Sequence, residues 1–167
     1  LVVYRIHPDD AFVQPWSSFD PVRAGEQVAT RHDGTPVLAA IIEMTDRDGQ
    51  VLLARNAAWQ GRMFALITGF MEAGETAEEG IVREVFEETG LRPDAPKLVG
   101  VYDFQRMNQL IVAYHVQAQG EIVLSPELAE YKLFRPEGIR CWRAGTGYAL
   151  ADWLSTKGIT PMWMDPA

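Results

Sequence analysis

The sequence predicts an α/β fold, a mixed sheet with helices packed outside it. Three observations carry this. Short apolar runs rich in β-branched residues lie on both sides of a central segment, that segment has helical spacing between capping signals, and a second amphipathic stretch stands near the C-terminus. With 167 residues, 47% of them apolar, the chain is long enough for one core and needs no second.

In chain order, Leu1 to Ile6 reads as a short strand, and Pro8, Pro15, Pro21 and Pro36 interrupt the chain beyond it. Residues 1–36 are therefore expected to form an N-terminal extension of strand and loops that pairs with the sheet or with a second subunit. Strands are expected at Val37 to Glu43, Val51 to Arg55 and Phe64 to Thr68, with turn chemistry at Asp46 to Gly49. Further strands are expected at Leu98 to Phe104 and Leu110 to Val116. A second helix is expected from about Gly147 to Thr156, with Tyr148, Leu150, Ala151, Trp153 and Leu154 as its apolar face and Lys157-Gly158 as its end. The main domain is taken as 37–160, and 161–167 as a C-terminal tail.

The central segment, Gly69 to Leu91, is the most informative. It holds seven of the chain's 23 acidic residues and one of its 15 basic ones, Arg83. Thr76 and Glu79 have the spacing of a capping box, and Gly90 stands where a left-handed helix stop belongs. Ile81, Val82, Val85 and Phe86 form an apolar face directed to the core. Glu84, Glu87 and Glu88 share an arc of about 100° on the other side and are expected to converge. Like charges at these spacings cost roughly a few tenths of a kcal/mol per pair. A solvated acidic face would intersperse lysines, and this helix has none. A hard divalent cation, Mg2+ or Mn2+, removes the conflict because such ions take carboxylate oxygens together with substrate phosphate oxygens. Two glycines in the run-up, Gly69 and Gly74, suit close approach of backbone to a ligand.

Gly69, then Glu75, then Arg83-Glu84-Val85-Phe86-Glu87-Glu88-Thr89-Gly90-Leu91 resembles the signature of the Nudix hydrolases at every specified position. The resemblance implies an α/β/α sandwich around a mixed sheet. It also implies hydrolysis of a nucleoside diphosphate linked to another group, such as NADH or ADP-ribose. Glu84, Glu87 and Glu88 would then bind Mg2+ or Mn2+, joined by a main-chain carbonyl of Thr68 or Gly69, with Glu75 and Arg83 as a supporting pair. Such ions spread phosphoryl charge and lower the pKa of the attacking water. A further catalytic carboxylate from outside this stretch is expected at Glu130, with Glu127 as the rival. The surroundings are most similar to the NADH pyrophosphatase-like branch, but the chain has neither the four-cysteine zinc ribbon nor the post-signature motif of that branch. A catalytically silent nucleotide sensor, or an isomerase sharing the fold, is the alternative.

Arg55, Arg62 and Arg106 are candidate phosphate contacts, and Tyr102 and Phe104 are candidate stacking partners for a base. Core packing is the competing reading for the two aromatics, and Trp59, Trp142, Trp153 and Trp163 are read as packing or interface residues. Cys141, the only cysteine, is expected to be a buried thiol. His7, His32 and His115 form no zinc pattern, and His115 reads as a strand residue. A pI near 4.8 argues against nucleic acid as a partner. No stretch has the form of a secretory leader or a membrane span, so the expected compartment is the cytoplasm. The partner implied by the resemblance is a small nucleoside diphosphate derivative, and a homodimer is among the expected assemblies.

Overall fold

The computed structural model describes residues 36–165, together with the backbone of two short strands nearer the N-terminus. Those two, β1 (Tyr4–Ile6) and β2 (Val13–Pro15), form an antiparallel ladder of their own with Arg5 opposite Gln14. Among the described residues the extension therefore pairs with itself rather than with the main sheet. The rest of that extension, with His7 and His32, lies outside the described residues.

The centre of the molecule is β3 (Val37–Met44), whose eight residues are all buried. Such a continuous apolar run marks a strand covered on both faces. Even-numbered side chains, Leu38, Ala40 and Ile42, join the cluster under the first helix, α1 (Ala77–Thr89). Odd-numbered ones, Val37, Ala39 and Ile41, join the cluster under the second, α2 (Thr146–Thr156). The period-two alternation of a strand thus divides one apolar run between two layers. The expected α/β/α sandwich is the fold observed.

Around β3 stand β4 (Gln50–Asn56), β5 (Ile67–Phe70), β6 (Lys97–Phe104), β7 (Gln109–Ala118) and β8 (Leu128–Phe134). The order is β6-β7-β3-β4-β8, with β5 also on β3. Only β3 and β7 of this sheet run parallel, so it is mixed. One edge of β3 is shared: Ile42 to Met44 pair with β4, and Val37 to Ala40 pair with β5. This sharing sets Gly69 opposite Leu38, beside the helix that carries the carboxylates. A smaller parallel ladder joins β9 (Arg140–Cys141) to β10 (Met162–Trp163), so the expected tail is tied down. Among the described residues no helix is long and apolar enough to cross a membrane.

Several boundaries differ from expectation. The strand expected at Phe64 to Thr68 starts at Ile67, because Ala65 makes only an isolated bridge to Ala54 before the ladder with β3 begins. In α1, Ile81 and Val85 are fully buried, whereas Val82 and Phe86 are 37% and 43% exposed. Residues 82 and 86 lie about 100° further round the helix, past the sheet, and Arg92 covers the Phe86 ring at 4.6 Å. Tyr148 of α2 is likewise exposed, while Leu150, Ala151, Trp153 and Leu154 are buried. Cys141 is buried, which pushes its thiol pKa up to about 11.

The far end of β3 carries a buried charge, Glu43. One oxygen lies 2.8 Å from His115 Nε2, and the other accepts from Lys157 Nζ at 2.7 Å. Burial raises the Glu43 pKa, but Lys157 and His115 together outweigh it and hold the carboxyl below its ordinary value. Burial lowers the His115 pKa by more than Glu43 restores, so the ring takes up a proton less readily in the folded protein than in the unfolded chain. Both shifts remove stability on acidification. The Glu43 contribution is complete above the ordinary glutamate pKa and is lost as pH falls through the depressed value. His115 resists a proton that the unfolded chain takes up below about 6.5. The melting temperature is expected to fall with pH, and His115→Gln, which cannot titrate, should flatten that fall above about pH 5. A thermal melt series would refute this if the variant followed the parent slope.

Candidate active site

The site is built on the N-terminal half of β3, the adjoining β5 and helix α1. Thr76 caps the helix: its hydroxyl accepts from the Glu79 N–H at 3.2 Å, and the Glu79 carboxylate accepts from the Thr76 N–H at 2.8 Å. At the other end Gly90 has φ 71°, a left-handed turn that closes the helix through its N–H to the Phe86 carbonyl. The capping box and stop fix the register in which Glu84, Glu87 and Glu88 leave the helix.

Arg83 is the hub of the charged face. Its Nε and Nη2 grip both oxygens of Glu75 at 3.0 and 2.8 Å, and Nη2 also donates to the Phe70 carbonyl at 3.1 Å. Nη1 donates to Glu84 at 2.8 Å and to Glu87 at 3.1 Å. Glu75 in turn accepts the Glu72 N–H at 2.7 Å, so the loop before the helix is held from both sides. Hydrogen bonding to Arg83 is the largest influence on Glu75 and holds its carboxyl below the usual range. Arg83 is raised in turn, chiefly by Glu75.

Glu84 is the most buried of the helix carboxylates, at 8% exposure. Burial raises its pKa, and Glu87 and Glu88 add to that against the pull of Arg83. It lies flat against β5 because Gly69 has no side chain. A Cβ there would stand 1.8 Å from the Glu84 Cδ and 2.1 Å from each of its oxygens. The glycine thus brings a carboxylate against main chain, a cradle suited to a hard cation held by carboxylate and carbonyl oxygens.

The expected convergence of Glu84, Glu87 and Glu88 is not what the side chains do. Among the described residues no group of three or more His, Cys, Asp or Glu is arranged as a ready-made metal cage. The Arg83 guanidinium draws Glu84 and Glu87 to itself, and Glu88 instead meets the Ser125 hydroxyl, 2.6 Å distant, at the cleft. Arg83 offsets two of these like charges and the Ser125 hydroxyl meets the third, which relieves their repulsion. The donor set nevertheless fits a divalent cation: all oxygens, acidic in excess, on a rigid helix.

A cleft beside the helix is lined by Thr68, Glu88, Glu127, Asn56 and Trp59. Thr68 and Gly69, expected to offer carbonyls, are thus next to the carboxylates. Glu127 lines this cleft, whereas Glu130 faces Arg55 across the β4–β8 ladder, in an ion pair of 3.1 Å. Arg55 and Glu130 therefore neutralise each other. Tyr102 and Phe104 pack on the α2 cluster, and the Tyr102 hydroxyl donates to Asp152 of α2 at 2.8 Å. Burial and that bond raise the Tyr102 pKa. These two aromatics belong to the face of the sheet opposite α1. Arg62 and Arg106 are exposed, the latter in a short turn after β6. Sequence reasoning missed Ser125 as a partner of Glu88 and Trp59 as a cleft residue. Their only signal is a Ser-Pro turn and an aromatic in a connecting loop.

A family model described as NUDIX domain matches residues 34–153. The chain is 32% identical over 147 residues to the NAD-capped RNA hydrolase NudC of Mycobacterium tuberculosis, a match covering 85% of this chain and 43% of that protein. It therefore spans less than half the length of this curated relative. Over 65 residues it is 46% identical to the ADP-ribose pyrophosphatase of Methanocaldococcus jannaschii, covering 38% of each chain. The crystal structure of a NUDIX hydrolase from Nitrosomonas europaea superposes with a TM-score of 0.63 at 21% identity, covering 98% of this chain and 91% of the other. At that identity the likeness speaks for the fold.

Proposed function

Because the chain belongs to the Nudix family, we propose that it is a divalent-cation-dependent hydrolase that cleaves the diphosphate of a nucleoside diphosphate joined to a second group. The observation that carries this reading is the Glu84 cradle on Gly69 beside a cleft lined by Glu88, Glu127 and Thr68. Glu84, Glu87 and Glu88 with the carbonyls of Thr68 and Gly69 hold the cation, Mg2+ or Mn2+. When bound, the ion supplies positive charge to the phosphoryl oxygens and lowers the pKa of the attacking water.

The chain's own residues do the rest. Arg83 and Glu75 hold the loop and helix in fixed relation, so the backbone that carries the carboxylates is already in place when substrate arrives. Glu127 is the acid from outside the signature, in place of Glu130, and accepts the proton released by the attacking water. Trp59, 44% exposed at the cleft, offers an apolar surface on which a base can stack. Arg62 and Arg106, both exposed, are available to meet outer phosphates.

The names of two relatives point to the substrate class: one acts on NAD-capped RNA, the other on ADP-ribose. Both substrates carry an adenosine diphosphate moiety, and the first extends the expectation to nucleic acid bearing such a cap. The test is a hydrolysis screen with Mg2+ and with Mn2+ over NADH, ADP-ribose, diadenosine polyphosphates, coenzyme A, nucleotide sugars, nucleoside triphosphates and an NAD-capped RNA. Cation-dependent release of a mononucleotide from NADH, ADP-ribose or the capped RNA is expected. Binding without turnover anywhere in the panel would replace this reading with that of a nucleotide sensor.

A further inference from the structure

The segment between β7 and β8 closes the end of α1 in a way that the signature itself does not explain. The last carbonyls of a helix have no partners within it. Here the Val123 N–H donates to the Thr89 carbonyl at 2.9 Å, and the Ser125 N–H donates to the Glu88 carbonyl at 3.0 Å. The same serine uses its side chain twice. Its hydroxyl donates to Glu88 Oε2 at 2.6 Å and accepts the Glu127 N–H at 3.3 Å. The Ser125 carbonyl accepts from Leu128 at 3.2 Å, and the Glu127 carbonyl accepts from Ala57 at 2.8 Å, which ties the turn to the loop after β4.

Glu88 stands at the negative end of the helix dipole, with no basic residue in the last turn to offset it. Its one side-chain hydrogen bond among the described residues is the one from Ser125, which engages Oε2 and leaves the other oxygen available. The hydroxyl also accepts the Glu127 N–H, so the main chain at Glu127, a second residue of the cleft, is tied to the Glu88 carboxylate through a single side chain.

We infer that Ser125 is a positioning residue, which holds one oxygen of the Glu88 carboxylate, leaves the other for the cation, and ties that carboxylate to the main chain at Glu127. This rests on the reading of Glu88 as a cation ligand. Residues that orient metal ligands without touching the metal typically contribute about 10–100-fold in affinity or activity. Ser125 lies outside the signature, and sequence spacing gives no hint that it meets Glu88.

The test measures Mn2+ binding by titration calorimetry on the intact chain, alongside Mn2+-dependent turnover. Ser125→Ala is expected to weaken Mn2+ binding by about 10-fold, while Ser125→Thr, which keeps the hydroxyl, stays close to the parent. Ser125→Cys, similar in size but a poor donor, should behave as the alanine variant does and provides the measurement should that variant not fold. Parent-like Mn2+ affinity in the alanine or cysteine variant would overturn the inference, as would a threonine variant as weak as alanine. If the parent chain itself fails to bind Mn2+, the cation-site reading beneath it falls instead.

Discussion

Glu88→Gln is expected to lower cation-dependent hydrolysis by at least about 100-fold, beyond the upper end of what losing a residue that only orients a ligand costs. The substitution isolates charge from shape. A glutamine amide has nearly the same volume, and its oxygen still accepts the Ser125 hydroxyl that now reaches Glu88 at 2.6 Å. The helix keeps its buried anchors, Ile81 and Val85, and its capping box, so the melting temperature should barely move. One negative charge disappears from the oxygen set that holds the cation, and hard cations bind neutral amide oxygens more weakly than carboxylates in such sites. The check is kcat/KM on whichever substrate of the panel is turned over, at several Mg2+ concentrations. Parent-like kcat/KM throughout would sink the assignment of Glu88, and recovery only at high Mg2+ would locate the loss in cation affinity.

Gly69→Ala is the second large effect, and it should separate function from folding. The added methyl would fall 1.8 Å from the Glu84 Cδ, closer than any real contact, so something must move. The obstacle is the far end of a side chain rather than backbone, so Glu84 can swing away. The stability cost is expected to stay within about 1–3 kcal/mol, the usual range for overpacking. Swinging away takes the most buried carboxylate of the face out of its cradle and breaks its bond to Arg83 Nη1 at 2.8 Å. Turnover should therefore fall by about 100-fold or more while the fold persists, because a misplacement near 1 Å is enough for such a loss. Circular dichroism with a thermal melt, combined with the hydrolysis assay, decides it. Full activity would mean that the Glu84 position is not the one that works. Outright unfolding would mean that the β5 backbone cannot give.

How much of the fold is legible in the sequence depends on whether the information is local. The capping box at Thr76 and Glu79, the stop at Gly90, the buried run of β3 and the two helices are all readable from neighbours within a turn or two. β8 is absent from the expected strands, although Ala129, Tyr131 and Leu133 alternate with Glu130 and Lys132 in the period of a half-buried edge strand. Pairing with β4 is what makes it a strand, and that same pairing joins Arg55 to Glu130 and leaves Glu127 at the cleft. Tyr102 and Phe104 alternate correctly for a strand, yet which face they take is set by α2, a helix distant in the chain, through the bond from Tyr102 to Asp152.

The order of residues alone is enough to place the helix bearing Glu84, Glu87 and Glu88, since spacing along a helix fixes which side chains share a face, and the resemblance of that stretch to the Nudix signature supplies the family and the support pair Glu75 and Arg83. How those charges are partnered is a matter of tertiary contacts: Glu84 against Gly69 and Arg83, Glu87 on Arg83, Glu88 on Ser125. The pairing of β8 with β4 sets Glu130 against Arg55, and it is Glu127 that lines the cleft with Glu88. Such outcomes depend on residues far apart in the chain, where the repulsion of like charges selects whichever donors the fold brings within reach.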